Sequence, residues 1–287
     1  ETHPALSPND EFADFETMPF RVGAWIPSQA DGSYVRQAYL HGLEMAAKGM
    51  GNPYKFGLIG ASDTHVAAGA FDEDNYWSKV GVVDSTPTLR GSVPLKTPNA
   101  DGSKYDINHF QTWSASGLAA VWANSNTRHD IFDAMRRKET YATTGPRIKL
   151  RFFAADDFED NILTRADMVE RAYQQGVSMG SDLSLGDAKA PAFLVWALRD
   201  PRSYGLQRVQ MIKGWIDETG TSYEKVFDMV CAGGVSPDAQ YRCPDNQAQV
   251  DVATCDVSAA TSADELKTVW RDPEFSSGQT AFYYIRV

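Results

Sequence analysis

The sequence predicts an α/β portion followed by a β-rich, sandwich-like portion, and three observations predict it. Before Gly145, a segment with helical apolar spacing leads through a glycine turn into a short, nearly all-apolar run. From Arg147 onward apolar and polar residues alternate with period two. Between the two regions, Tyr141-Ala142-Thr143-Thr144-Gly145-Pro146-Arg147 supplies turn chemistry. The expected domains are 1–145 and 146–287. A chain of 287 residues has room for both, and 43% hydrophobic with 11% aromatic residues is enough to build a substantial core.

Composition narrows the partners. The formal charge is −11, and the longest basic cluster, Arg136-Arg137-Lys138, falls near an expected helix end, where cations suit the dipole. Nucleic acid is therefore not an expected partner. No apolar run approaches the roughly 18 residues of a membrane span, so no span is expected. The chain begins at Glu1 without a Met, as a processed product or a fragment would.

Taken in order, Glu1 to Phe20 carries five carboxylates and three prolines and reads as a loop followed by a short turn. Arg21 to Pro27 is a candidate short strand. Asp31-Gly32 breaks the chain, and Ser33 can cap a helix running to about Lys48. Val35, Tyr39, Leu43 and Ala46 follow the rhythm of a buried stripe, which Gly49 and Gly51 stop. Phe56 to Ile59 then reads as a strand buried on both faces. Val80 to Phe110, punctuated by Pro87, Pro94 and Pro98, is an irregular loop long enough to act as a lid. Leu118 to Trp122 is the next expected buried strand. Asn126 or Thr127 starts a helix through about Glu139, with Ile131, Phe132 and Met135 facing inward.

In the second half, Ile148, Leu150 and Phe152 alternate with Lys149 and Arg151, and Phe193 to Leu198 is a mostly apolar strand. Val209, Met211 and Trp215 share a face of another. Asp217-Glu218-Thr219-Gly220 reads as a hairpin turn into a return strand, Tyr223 to Val230, and Ala281 to Val287 is a final strand. One helix is expected near Ala166 to Gln175. Together these runs describe an antiparallel layer or sandwich.

Cys231, Cys243 and Cys255 lie in a loop-rich window where a disulfide has three possible pairings. Cys243–Cys255 is the expected pair. Closing a loop of that size stabilises by about 3 kcal/mol on the chain-entropy argument, which suits a periplasmic or secreted protein. A three-Cys zinc site is the rival reading, but no His lies nearby.

The chemistry is expected just after Gly60. Asp63 and His65 stand two residues apart, so in extended backbone their side chains point the same way. Carboxylate and neutral imidazole are usual ligands for zinc, manganese or iron, and the C-terminal mouth of a β/α barrel strand is where such folds keep their chemistry. The competing reading is an N-cap Asp beside a hydrogen-bonded His. Glu73, in the acidic run after the pair, is a candidate supporting carboxylate and substrate contact. Arg36 and Arg147 are candidate anion contacts, since Arg offers bidentate donors to phosphate or carboxylate; surface ion pairs are the alternative for each.

Tyr54-Lys55-Phe56-Gly57 through Ser62-Asp63-Thr64-His65, then Glu73-Asp74-Asn75, Asn126-Thr127-Arg128 and Arg137-Lys138-Glu139-Thr140-Tyr141-Ala142-Thr143-Thr144-Gly145, resemble the motifs of a bacterial domain family of unknown function, DUF3604. Ile212-Lys213-Gly214-Trp215 and Ala281-Phe282-Tyr283-Tyr284 resemble its later motifs. That family is distantly similar to the PHP (polymerase and histidinol phosphatase) metal-dependent hydrolases. The resemblance implies an incomplete, distorted, PHP-like β/α barrel followed by the β-rich domain. It also implies divalent metal ions, a small-molecule ester substrate such as a phosphate ester, and metal ligation by Asp63 and His65. His3, in Glu1-Thr2-His3-Pro4, falls where PHP proteins place a Glu or His near the metals. Relatives carry an early His-x-His element that residues 1–287 lack, so the implied remainder of the barrel is a missing N-terminal segment of the same protein. The alternative is a secreted, non-catalytic binding or structural protein with a vestigial metal site.

Overall fold

A computed structural model describes residues 1–13, 26–62, 64–65, 67, 93–94, 97–98, 100, 102, 105–106, 117–186, 189–251, 253–254, 256–258 and 261–287. The chain divides into two compact units. One comprises 1–37, 59–120 and 142–146, and the other 38–58, 121–141 and 147–287. Among the described residues there are three α-helices and several antiparallel sheets, and no closed barrel. No helix among them is long and apolar enough to cross a membrane.

The second unit is built around two sheets. Strand β5 (Lys149–Ala155) pairs with β6 (Val177–Ser178) on one side and with β7 (Ala192–Leu198) on the other, and β7 pairs in turn with β10 (Glu265–Arg271). The other sheet places β8 (Arg208–Ile216) between β9 (Ser222–Cys231) and β11 (Ala281–Arg286). Because successive side chains alternate across a strand, the odd and even residues of β5 and β7 serve different cores. Leu150, Phe193, Val195 and Ala197 meet Val209, Met211, Phe227 and Met229 from the second sheet. Phe153, Ala155, Ala192 and Leu194 meet Phe158, Ile162 and the helix α3 (Met168–Gln175), through Met168 and Ala172. Strand β7 is the apolar centre of this arrangement, with Phe193, Leu194, Val195 and Ala197 all at most 3% exposed. That explains why its sequence is a continuous apolar run while its neighbours alternate.

Two buried carboxylates inside this core are paired. Lys213 and Asp272 are both buried, with Nζ and Oδ2 2.6 Å apart. Lys213 also donates to the Glu274 carbonyl at 3.0 Å, and the Tyr283 hydroxyl donates to Asp272 Oδ2 at 2.7 Å. Such a pair needs every partner: removing one member of a buried ion pair typically costs about 3–5 kcal/mol, because the other charge is stranded. A second buried carboxylate, Asp228, sits where the β8–β9 register shifts between Val209 and Gln210. It accepts from Gln210 Nε2 at 2.7 Å, from Arg208 Nη1 at 3.1 Å and from the Cys243 backbone N–H at 2.6 Å.

That last bond bears on the disulfide. The structure joins Cys231 to Cys243, not Cys243 to Cys255, with Cα atoms 5.6 Å apart. Asp228 draws the 243 backbone against the end of β9, where Cys231 is the last residue. The Asp228 N–H also donates to the Tyr241 carbonyl at 2.9 Å, fixing the same loop. Cys255 lies outside the described residues.

The hairpin after β8 forms as its sequence predicts: Asp217 Oδ1 accepts from the Thr219 and Thr221 N–H groups. Helix α1 (Val35–Ala47) and helix α2 (Arg128–Arg136, capped by Thr127) fall within the expected spans, and Leu43 is buried as expected, but other members of the expected inner faces are not. Val35 and Ala46 are exposed, as are Phe132 and Met135, while Arg36, Leu43 and Ala134 are buried. Tyr141 to Thr143 is not turn but part of strand β4 (Thr140–Thr143), which pairs with β3 (Leu118–Val121). Phe56 to Ile59 forms no strand, and Phe56 and Ile59 are exposed, so the doubly buried strand expected there is not observed. In the first unit, β1 (Val93–Pro94) pairs with β2 (Tyr105–Asp106). The rest of the proposed lid loop lies largely outside the described residues.

Peptide mapping without reduction is expected to recover the Cys231–Cys243 cross-link. Replacing Cys243 by Ser is expected to cost about 2–4 kcal/mol in urea denaturation, since a short loop is released and a buried carboxylate loses an ordered donor. Recovery of a Cys243–Cys255 cross-link would overturn the observed pairing.

Candidate functional site

The segment that carries the expected metal ligands is held tightly where it begins. A Cβ on Gly60 would lie 2.7 Å from the Leu118 carbonyl oxygen and 2.9 Å from that of Thr143. Only glycine fits without moving backbone, so the chain leaves this point along a fixed path. Asp63 and Glu73 lie outside the described residues. His65 is exposed. Between the two expected ligands, the Thr64 hydroxyl oxygen is buried and has no hydrogen-bond partner among the described residues, while the Thr64 N–H is 3.3 Å from Ser62 Oγ. A buried hydroxyl without a partner is costly unless water or a ligand completes it.

His3 is half-buried, its ring centroid 5.7 Å from that of Tyr34. Its Nδ1 accepts the Ala5 N–H at 3.1 Å. A neutral imidazole that accepts at Nδ1 carries its proton on Nε2, so binding a cation through Nε2 would require that bond to break. Arg36 is buried at 1% exposure, with its guanidinium between Glu1 and Asp10; the Asp10 contact is 2.8 Å. The expected anion contact is thus an internal ion cluster that ties α1 to the first turns of the chain. It holds carboxylates of the protein itself. Arg147 is exposed at the start of the second unit's main segment, and its N–H donates to Asp200 Oδ2 at 2.7 Å. Hydrogen bonds from the Arg147 and Arg202 backbones hold the Asp200 carboxyl below its usual range. Among the described residues no group of three His, Cys, Asp or Glu side chains converges as a metal site.

A different feature dominates the second unit. A cleft of about 560 Å³, within the size range of small-molecule sites, opens beside β5 and β11. Its wall is aromatic. Tyr39 packs against Phe56, Phe282 and Tyr284 with centroids 4.8, 5.1 and 6.2 Å away, and its hydroxyl donates to the Phe56 carbonyl at 3.1 Å. Phe282 lies over Gly214, where a Cβ would stand 2.2 Å from the ring's Cζ. Three charged residues border the cleft: Lys55, Lys138 and Asp182. Lys55 Nζ is 2.7 Å from Asp182 Oδ2, and Lys138 Nζ donates to the Lys55 carbonyl at 3.1 Å. Gln279 also lines the cleft, and its buried Oε1 has no partner among the described residues. Sequence reasoning had no access to this site, because its residues come from seven separated stretches. The one available signal was the dense aromatic run at 282–284 beside Lys55 and Lys138, which the DUF3604-like motifs already contain.

Burial pushes the Tyr39 phenol up to about 12 from its ordinary value of 10.0. The unfolded chain therefore releases this proton near pH 10 while the folded chain keeps it, and stability falls as pH rises from 10 towards 12. In urea titrations across that window, Tyr39→Phe is expected to lose stability less steeply than the unaltered chain. Equal slopes would remove Tyr39 from the account.

Neither curated proteins nor solved structures yield a match to this chain. One family does: the chain matches the family described as "Protein of unknown function (DUF3604)" over residues 1–287.

Proposed function

The chain belongs to the DUF3604 family, and from that premise we propose that it is part of a metal-dependent hydrolase acting on phosphate or related esters. The supporting observation is local. A glycine with no room for a Cβ, Gly60, stands just before the Ser62-Asp63-Thr64-His65 segment, and the buried Thr64 hydroxyl has no protein partner among the described residues. The donor set suits zinc, manganese or iron, with Asp63 and His65 as the ligands from this segment. A bound divalent cation supplies Lewis acidity and lowers the pKa of water near an ester. The chain's own contribution in this reading is a carboxylate and an imidazole two residues apart in the sequence. In this reading the PHP-like barrel is completed by an N-terminal segment of the same protein, and the disulfide suits a periplasmic or secreted location. His3 is a ligand only after its Nδ1 bond to Ala5 is released.

The second reading is a secreted binding protein, favoured by the aromatic cleft of the second unit. The two readings part on metal content. Under the hydrolase reading, Asp63→Ala with His65→Ala is expected to lower bound zinc or manganese, measured by plasma mass spectrometry after equilibration, to less than half the unaltered stoichiometry. It is also expected to abolish hydrolysis of p-nitrophenyl phosphate. Unchanged metal content would remove the hydrolase reading.

A further inference from the structure

We propose that the cleft of the second unit binds a small amphipathic anion, a molecule with a flat apolar body and a single negatively charged group, and that Lys138 holds the charge. The inference is independent of the hydrolase reading and concerns different residues.

The apolar body is specified by the wall. The Tyr39 ring lies 4.8, 5.1 and 6.2 Å from those of Phe56, Phe282 and Tyr284, and Phe282 lies 6.1 Å from Tyr284, the spacing at which aromatic faces stack or meet edge-on. Phe56 remains 40% exposed, so this wall is open to a ligand rather than closed on itself. The charge is specified by the border. In a chain of net charge −11, the cleft carries two ammonium groups and one carboxylate. Asp182 is already matched by Lys55, which leaves Lys138 as the excess positive charge. Its Nζ contacts only a carbonyl among the described partners. An ammonium beside apolar walls attracts an anion more strongly than it would in open water.

The backbone at Lys138 supplies the second observation. Helix α2 ends in a Schellman arrangement: Glu139 N donates to the Ala134 carbonyl at 3.1 Å and Lys138 N to that of Met135 at 3.0 Å. The residue at the left-handed position of this motif is ordinarily glycine. Here it is Lys138, with φ of 60°. A lysine where the backbone favours glycine carries a conformational cost that a role for its side chain would offset. The buried Oε1 of Gln279, without a partner among the described residues, adds an acceptor for a donor on the ligand.

The test uses two fluorescent probes and the 287-residue chain. The first, 8-anilinonaphthalene-1-sulfonate, has an aromatic body and one sulfonate; N-phenyl-1-naphthylamine has the same body without the charge. The unaltered chain, showing cooperative thermal unfolding, is expected to bind the sulfonate probe saturably at one site and at least ten-fold more tightly than the neutral probe. Lys138→Gly, which suits the left-handed position, is expected to keep or raise the melting temperature. It is also expected to weaken the sulfonate probe at least ten-fold and leave the neutral probe within about two-fold. Lys138→Met, which keeps the apolar stem, is expected to behave like the glycine variant towards both probes. The proposal is overturned by non-saturable binding, by unchanged sulfonate affinity in a cooperatively folding Lys138 variant, or by equal loss of both probes.

Discussion

The second unit depends on burying strand β7 from both sides. A strand with Phe193, Val195 and Ala197 turned towards one layer and Ala192 and Leu194 towards another cannot be stable at an edge or on a surface. It requires a second sheet on one face and a helix on the other. At roughly 1.5–3 kcal/mol for each large apolar side chain fully removed from water, the central strand and its neighbours supply much of the driving force for this unit. The polar exceptions inside it follow from the same constraint. Lys213 and Asp228 each stand in strands of the facing sheet, and each is tolerated because its charge is answered within hydrogen-bonding distance.

The β-rich half was legible in the sequence because sheet geometry leaves a plain mark. Alternation at Leu150, Phe152 and the strands that follow is what a two-sided layer demands, and Asp217 announces its turn through side-chain chemistry that acts within four residues. The helices were legible in extent but only partly in phase. Large apolar residues such as Phe132 and Met135 drew the expected inner face, yet Ala134 and Arg36 occupy the buried positions. Alanine gives a weak periodic signal. The burial of Arg36 depends on Glu1 and Asp10, carboxylates far from it along the chain.

The disulfide and the cleft were illegible for a related reason. Three cysteines at similar intervals are nearly equivalent in loop-closure terms. What separates them is Asp228, a carboxylate in β9 that captures the Cys243 N–H. The cleft is assembled from segments more than two hundred residues apart, and no local pattern encodes such an assembly. By contrast, the Asp63-x-His65 spacing is a local pattern. The neighbouring structure adds to it a close backbone contact at Gly60 and a Thr64 hydroxyl without a partner among the described residues.

The interlock of Gly214 with Phe282 has an evolutionary corollary. The bare backbone of one strand forms the seat for a ring from the next. Neither position is free to drift alone: a methyl group at 214 evicts the ring, and a smaller residue at 282 leaves a hollow over the glycine. Descendants of this chain should therefore either keep both residues or exchange them as a matched set, and a lineage that lost the ring would have little reason to preserve the glycine.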